Sequence, residues 1–227
     1  MKKYHSIAFD LDDTLLDTSG LLVPAAAKTA CEAMIAAGLQ CDLQTCLSER
    51  EVLAAQLSHT DIFHQIATKH GCTQPGKAVH DALEAFYNPV VPPTLPLLPE
   101  ALNNLESLKE NYSLYLVTMG SYKTQAQKVR SLGIEKYFEQ VFILNGFIGE
   151  RKQTAFQKIL TSKNIKPTEL LSVGNRLSSE IRDAKILGSE TCYFAYGEHV
   201  GEKPQVAEDH PDYTIYHHEE LIRVCGL

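Results

Sequence analysis

The stretch "FDLDDTLLDT", residues 9–18, sets carboxylates at Asp10, Asp12, Asp13 and Asp17 directly behind an apolar run. Like charges this close repel, while Phe9, Leu11, Leu15 and Leu16 favour burial. Two arrangements tolerate such a cluster. One is a solvated acidic turn. The other is a site that receives something positive: a metal ion, a lysine, or an electrophile for a carboxylate to attack. Further along, Thr118 and Met119 close a second apolar run, Lys152 opens a helical pattern, and Asn175 and Glu180 follow a third apolar run. Together these residue types can handle a phosphoryl group. A carboxylate attacks phosphorus, a hydroxyl and backbone N–H groups hold its oxygens, and a lysine and a divalent cation offset the charge. Clustered acids also make a hard-oxygen site suited to Mg2+.

The elements that must position these residues follow from hydrophobic periodicity. "YHSIAFDL" (4–11) predicts a short buried strand. Residues 24–38, 44–58, 61–71 and 77–88 are alanine-rich with helical spacing, which predicts a bundle of helices carrying apolar stripes. The five prolines of residues 88–99 exclude a helix interior or a central strand and predict a stiff return linker. Strand and helix then alternate: helix at 100–111, strand at 112–120, helix at 121–133, strand at 139–144, helix at 151–164, strand at 169–175, helix at 178–188 and strand at 190–196. A last short strand and a tail helix complete the chain. Such alternation predicts an α/β core, a parallel sheet with helices on both faces, whose ligands bind beyond the carboxyl ends of the strands.

The strand end "FDLDDTLLDT", the strand "LYLVTMG", the helix start "GERKQTAF" and the segment "LLSVGNRLSSEIRDAKILG" resemble, in order and spacing, the four motifs of the haloacid dehalogenase-like hydrolase superfamily. The resemblance implies a Rossmann-like core over 1–16 and 93–227, with an all-helical cap inserted over 17–92. It implies a phosphatase-type, Mg2+-dependent enzyme acting on a small phosphorylated metabolite. In that scheme Asp10 is the nucleophile and a metal ligand. Asp12 is the general acid and base, its backbone carbonyl reaching the metal. Thr118 and the Met119 backbone hold phosphoryl oxygens. Lys152 pairs with Asp10 and the phosphate; it is preferred over neighbouring Arg151 because Phe156 follows at the motif's spacing. The cap would close over the site and select the leaving group. Asp13 and Asp17 are expected to be turn or solvent-facing acids.

The fourth motif departs from the family pattern. It sets Asn175 and Glu180 where aspartates usually stand, and both remain candidate metal ligands. Three outcomes stay open: a phosphatase with a looser metal site, a slow enzyme, or a phosphate-binding protein. A sugar phosphomutase is a further alternative, with His59, Asp61 and His64 of the helical segment as candidate acid–base groups.

The net charge of −7 argues against a nucleic-acid-binding surface. No apolar run approaches the ~20 residues needed to span a bilayer. The N-terminal apolar stretch is too short for a signal-peptide core, so a cytoplasmic setting is expected. The cysteines at 31, 41, 46, 72, 192 and 225 show no CxxC spacing and are expected as reduced thiols. The adjacent His217 and His218 are expected at the surface.

Overall fold

The computed structural model describes residues 3–54 and 56–227. By internal contacts the chain divides into two units, one of Met1–Asp17 with Pro92–Leu227 and one of Thr18–Val91.

The second unit is helical: α1 (Thr18–Leu21), α2 (Val23–Ala36), α3 (Leu43–Ala54), α4 (His59–His70) and α5 (Pro75–Tyr87). Its core is the stripe that periodicity marks, with Ala27, Ala30 and Met34 of α2, Ile62, Phe63 and Ile66 of α4, and Ala78, Ala82 and Phe86 of α5 all buried. Ser58 caps α4 by accepting the Asp61 N–H, and Pro75 opens α5 where its missing N–H is not needed.

The first unit holds β1 (Ser6–Phe9), α6 (Ala101–Lys109), β2 (Ser113–Met119), α7 (Tyr122–Leu132), β3 (Gln140–Leu144), α8 (Lys152–Lys163), β4 (Leu170–Gly174), α9 (Arg182–Ile186), β5 (Glu190–Phe194), β6 (Tyr213–Ile215) and α10 (Leu221–Cys225). Among the described residues the six strands form one parallel sheet in the order β3-β2-β1-β4-β5-β6. The order reverses at β1 and β4. A crevice therefore opens beyond their carboxyl ends, where α/β sheets bind ligands.

Side-chain parity along the strands decides which helix covers which face. Ile7 and Phe9 of β1 and Leu114 and Leu116 of β2 pack with α6, α7 and α10. Ala8 of β1 and Tyr115 and Val117 of β2 pack with α8 and α9. The same alternation continues to the strand ends, where the polar residues stand.

Two details differ from the sequence reading. The helix expected over 178–188 begins as a π-helical turn at Leu177–Ile181 before becoming α9. His218 is buried, not at the surface: its Nε2 lies 2.6 Å from the Thr14 carbonyl oxygen and its ring packs on Phe194. All six cysteines are free thiols. No helix of the described residues is long and apolar enough to cross a membrane.

Candidate active site

Asp10 directly follows β1, and its N–H continues the ladder to the Val173 carbonyl at 2.9 Å. Its side chain is buried on the α8 side of the sheet. There Lys152, the first residue of α8, donates from Nζ to Asp10 Oδ1 at 2.5 Å and to Glu180 Oε2 at 2.8 Å. Glu180 Oε1 accepts the Arg176 N–H at 2.6 Å, so both of its oxygens are engaged. Gly174 makes this possible, because a Cβ at that position would lie 2.2 Å from Glu180 Cγ. The neighbouring Arg151 is turned elsewhere. It pairs with the buried Asp183, which also accepts the Gln153 N–H at 3.1 Å and so ties down the start of α8.

One buried lysine thus serves two carboxylates. Burial raises the pKa of Asp10 to about 7; Lys152 opposes the shift, while Glu180 and Asp12 add to it. Glu180 is also buried, but Lys152 and the backbone N–H groups around it outweigh that penalty and keep it below the usual carboxylate range. Burial would strip the proton from Lys152; the two carboxylates reverse this and hold it charged.

Asp12 stands on the opposite side. Lys128 Nζ donates to its Oδ1 at 2.7 Å, and Gln125 Nε2 donates to its Oδ2 at 2.8 Å and to Thr118 Oγ1 at 2.5 Å. An amide nitrogen can only donate, so the Thr118 hydroxyl accepts here and keeps its own proton for donation. Met119 closes β2 with its side chain against Gly146. Asn175 is buried, and its Nδ2 donates to the Tyr196 carbonyl at 3.1 Å, leaving the amide oxygen as an acceptor.

The structure therefore brings Lys152 and Glu180 to Asp10, and Thr118 to Asp12 through a residue that motif matching passed over. Gln125 and Lys128 were missed. Their signal lay in "SYKTQAQKVRSL", which offers a sheet-covering helix little apolar surface yet buries Gln125 and Lys128. Asp13 adopts a left-handed backbone (φ 53°) and is buried, accepting the Glu198 N–H at 3.4 Å. In the helical unit Asp61 pairs with Ser58 at the start of α4, His59 packs on Phe86, and His64 is exposed.

The donor chemistry fits a hard divalent cation. Asp10 and Glu180 pair with Lys152, and Asp12 pairs with Lys128. Among the described residues no three His, Cys, Asp or Glu side chains gather as a metal-binding group. A cation held here would draw on neutral oxygens, such as a backbone carbonyl and the Asn175 amide, beside the Asp10 carboxylate.

The sequence model described as haloacid dehalogenase-like hydrolase matches residues 7–193. A glyceraldehyde 3-phosphate phosphatase of Pyrococcus furiosus is 33% identical over 229 residues, covering 99% of this chain and 94% of the relative. A phosphoglycolate phosphatase of Photorhabdus laumondii is 28% identical over 236 residues, covering 100% of this chain and 94% of its own. A magnesium-bound HAD-hydrolase of Bacillus subtilis shares the fold, with a TM-score of 0.68 at 19% identity over 98% of both chains.

Proposed function

Because this chain belongs to the haloacid dehalogenase-like hydrolase family, we propose that it is a Mg2+-dependent phosphatase of a small phosphorylated metabolite, working through an aspartyl-phosphate on Asp10. It is a hydrolase acting on phosphate esters. Support comes from the relatives, phosphatases of glyceraldehyde 3-phosphate and of phosphoglycolate.

In this mechanism an Asp10 carboxylate oxygen attacks phosphorus and the bond to the leaving oxygen breaks. Asp12, which enters the cycle protonated, gives that proton to the leaving oxygen, releasing the alcohol. Asp12, now a carboxylate, takes a proton from water as the water's oxygen attacks phosphorus; inorganic phosphate leaves and Asp10 is restored. The Thr118 hydroxyl and the Met119 N–H hold phosphoryl oxygens, and Lys152 faces the charge that develops there. The Asp10 carboxylate, the Asp12 carbonyl and the Asn175 amide oxygen are the atoms that would hold Mg2+, which when bound offsets phosphoryl charge. Glu180, with both oxygens engaged, is assigned to anchoring Lys152 and not to the metal.

The observation that carries this reading is the buried Lys152 bridging Asp10 and Glu180 at the sheet's switch point. Steady-state turnover of p-nitrophenyl phosphate, with and without Mg2+, tests it against Asp10→Asn. Loss of turnover in the variant is expected, and equal rates would remove Asp10 as nucleophile. Asn175 favours a second reading, a protein that binds phosphate without hydrolysing it. Calorimetric binding of phosphate and Mg2+ with no turnover of any phosphate monoester would select that reading.

A further inference from the structure

Helix α7 buries Gln125 and Lys128 on the face it turns to the sheet, where an α/β helix normally places apolar residues. Burying an amide and an ammonium is costly unless each finds partners. They lie three apart, on one face of the helix. The partner they share is one carboxylate: Lys128 Nζ holds Asp12 Oδ1 at 2.7 Å and Gln125 Nε2 holds Asp12 Oδ2 at 2.8 Å. Each carboxylate oxygen has its own donor, so rotation of the group breaks at least one bond. Gln125 is itself pinned by Thr118 Oγ1 at 2.5 Å, and the chain at Gly120 lies so close that a Cβ there would meet Gln125 Cγ at 3.2 Å. The Asp12 side chain nevertheless stays 31% exposed, against 8% for Lys128, so the gripped carboxyl is still reached by solvent.

From this geometry we infer that Gln125 and Lys128 are positioning residues, a two-point bracket that aims the Asp12 carboxyl at the leaving-group oxygen. Lys128 acts through Asp12, whereas Gln125 also donates to Thr118 Oγ1, which holds a phosphoryl oxygen in the proposed mechanism. The inference rests on the phosphatase reading, in which Asp12 serves the leaving group. A bracket has a signature that general structural support lacks. Proton delivery matters greatly for an alkyl phosphate, whose alkoxide is a poor leaving group, and little for p-nitrophenyl phosphate, whose phenolate leaves unaided. Loss of the bracket therefore falls selectively on the alkyl ester.

The test measures kcat/KM, which reports the first phosphoryl transfer, for glycerol phosphate and p-nitrophenyl phosphate in wild type, Lys128→Met, Gln125→Met and Lys128→Arg. Lys128→Met is expected to lose about tenfold or more on the alkyl ester, part of the 10²–10⁴ that acid–base help contributes, and less than about threefold on the aryl ester. Gln125→Met, which also releases Thr118, is expected to show the same alkyl loss plus a loss common to both esters. Lys128→Arg, which keeps a cationic donor, is expected to recover most of the alkyl activity. Combined with Asp12→Asn, Lys128→Met is expected to add no further loss, because the group it positions is gone. Equal losses on both esters in Lys128→Met, or a full additional loss when it is placed in the Asp12→Asn background, would overturn the bracket and leave the phosphatase reading intact. A wild type that hydrolyses neither ester would instead overturn the reading on which the bracket rests. Thermal unfolding of each variant separates misfolding from these outcomes, since a fold defect depresses both esters together.

Discussion

Lys152 Nζ stands 2.5 Å from Asp10 Oδ1, although 142 positions separate them in the chain. Neither side chain is meaningfully exposed, at 4% and 8%, and Glu180 is their buried third member. Removing one partner of such a group leaves uncompensated charge in a low-dielectric setting, which is worse than never having buried it.

Lys152→Met is therefore expected to damage stability as well as catalysis. Two carboxylates lose their shared cation, and a loss of about 3–5 kcal/mol is expected. Urea unfolding monitored by circular dichroism checks the stability arm, and p-nitrophenyl phosphate turnover checks the catalytic one. A variant as stable as wild type would show that the carboxylates do not depend on the lysine.

The position of Asp10 also fixes a pH dependence. Its pKa is raised to about 7 by burial and by Glu180 and Asp12, and only the ionised form can attack phosphorus. Turnover at low Mg2+ should climb as pH rises towards about 7 and then level off on that limb. A cation beside the carboxylate favours the ionised form, so saturating Mg2+ should shift the limb to lower pH. The pH profile of kcat/KM at two Mg2+ concentrations measures this, and a limb that does not move would separate the metal from Asp10.

Asn175 supplies an amide oxygen where the family pattern supplies a charge. A pair of unit charges about 4 Å apart interacts by about 4 kcal/mol at an effective dielectric near 20, before desolvation is counted. Asn175→Asp is expected to lower the Mg2+ concentration needed for half activity. An unchanged half-point would show that residue 175 does not serve the metal.

Gly174 is held to a single hydrogen by Glu180, whose Cγ would lie 2.2 Å from any added Cβ. Gly174→Ala is expected to dislodge Glu180 from Lys152, costing about 1–3 kcal/mol as an overpacked core. Turnover should fall with it, because the ammonium loses its anchor. A melting temperature and kcat both equal to wild type would mean that the glycine is incidental.

Much of this was legible in the sequence, because it rested on local physics. Periodicity located the strands and helices, since burial of one face repeats every two or 3.6 residues whatever the rest of the chain does. The acids behind β1 marked the site, because charge at the edge of a core demands a partner. Motif order marked Thr118 and favoured Lys152 over Arg151. What escaped were partnerships between distant segments. Nothing local shows that Arg151 turns to Asp183, that Glu180 ends on Lys152, or that His218 is buried under Thr14.

The sequence alone determined which residues carry charge and at which strand ends they sit. The tertiary structure decided how they pair. Ala8 and Asp10 share a parity, and the layer above Ala8 is α8 and α9, so the lysine at the head of α8 meets the first carboxylate. Thr118 shares its parity with Leu114 and Leu116, which α7 covers, so an amide and an ammonium from α7 reach Thr118 and Asp12. A parallel sheet packed on both faces sorts alternate side chains to opposite layers, and that sorting exists only once the layers are assembled.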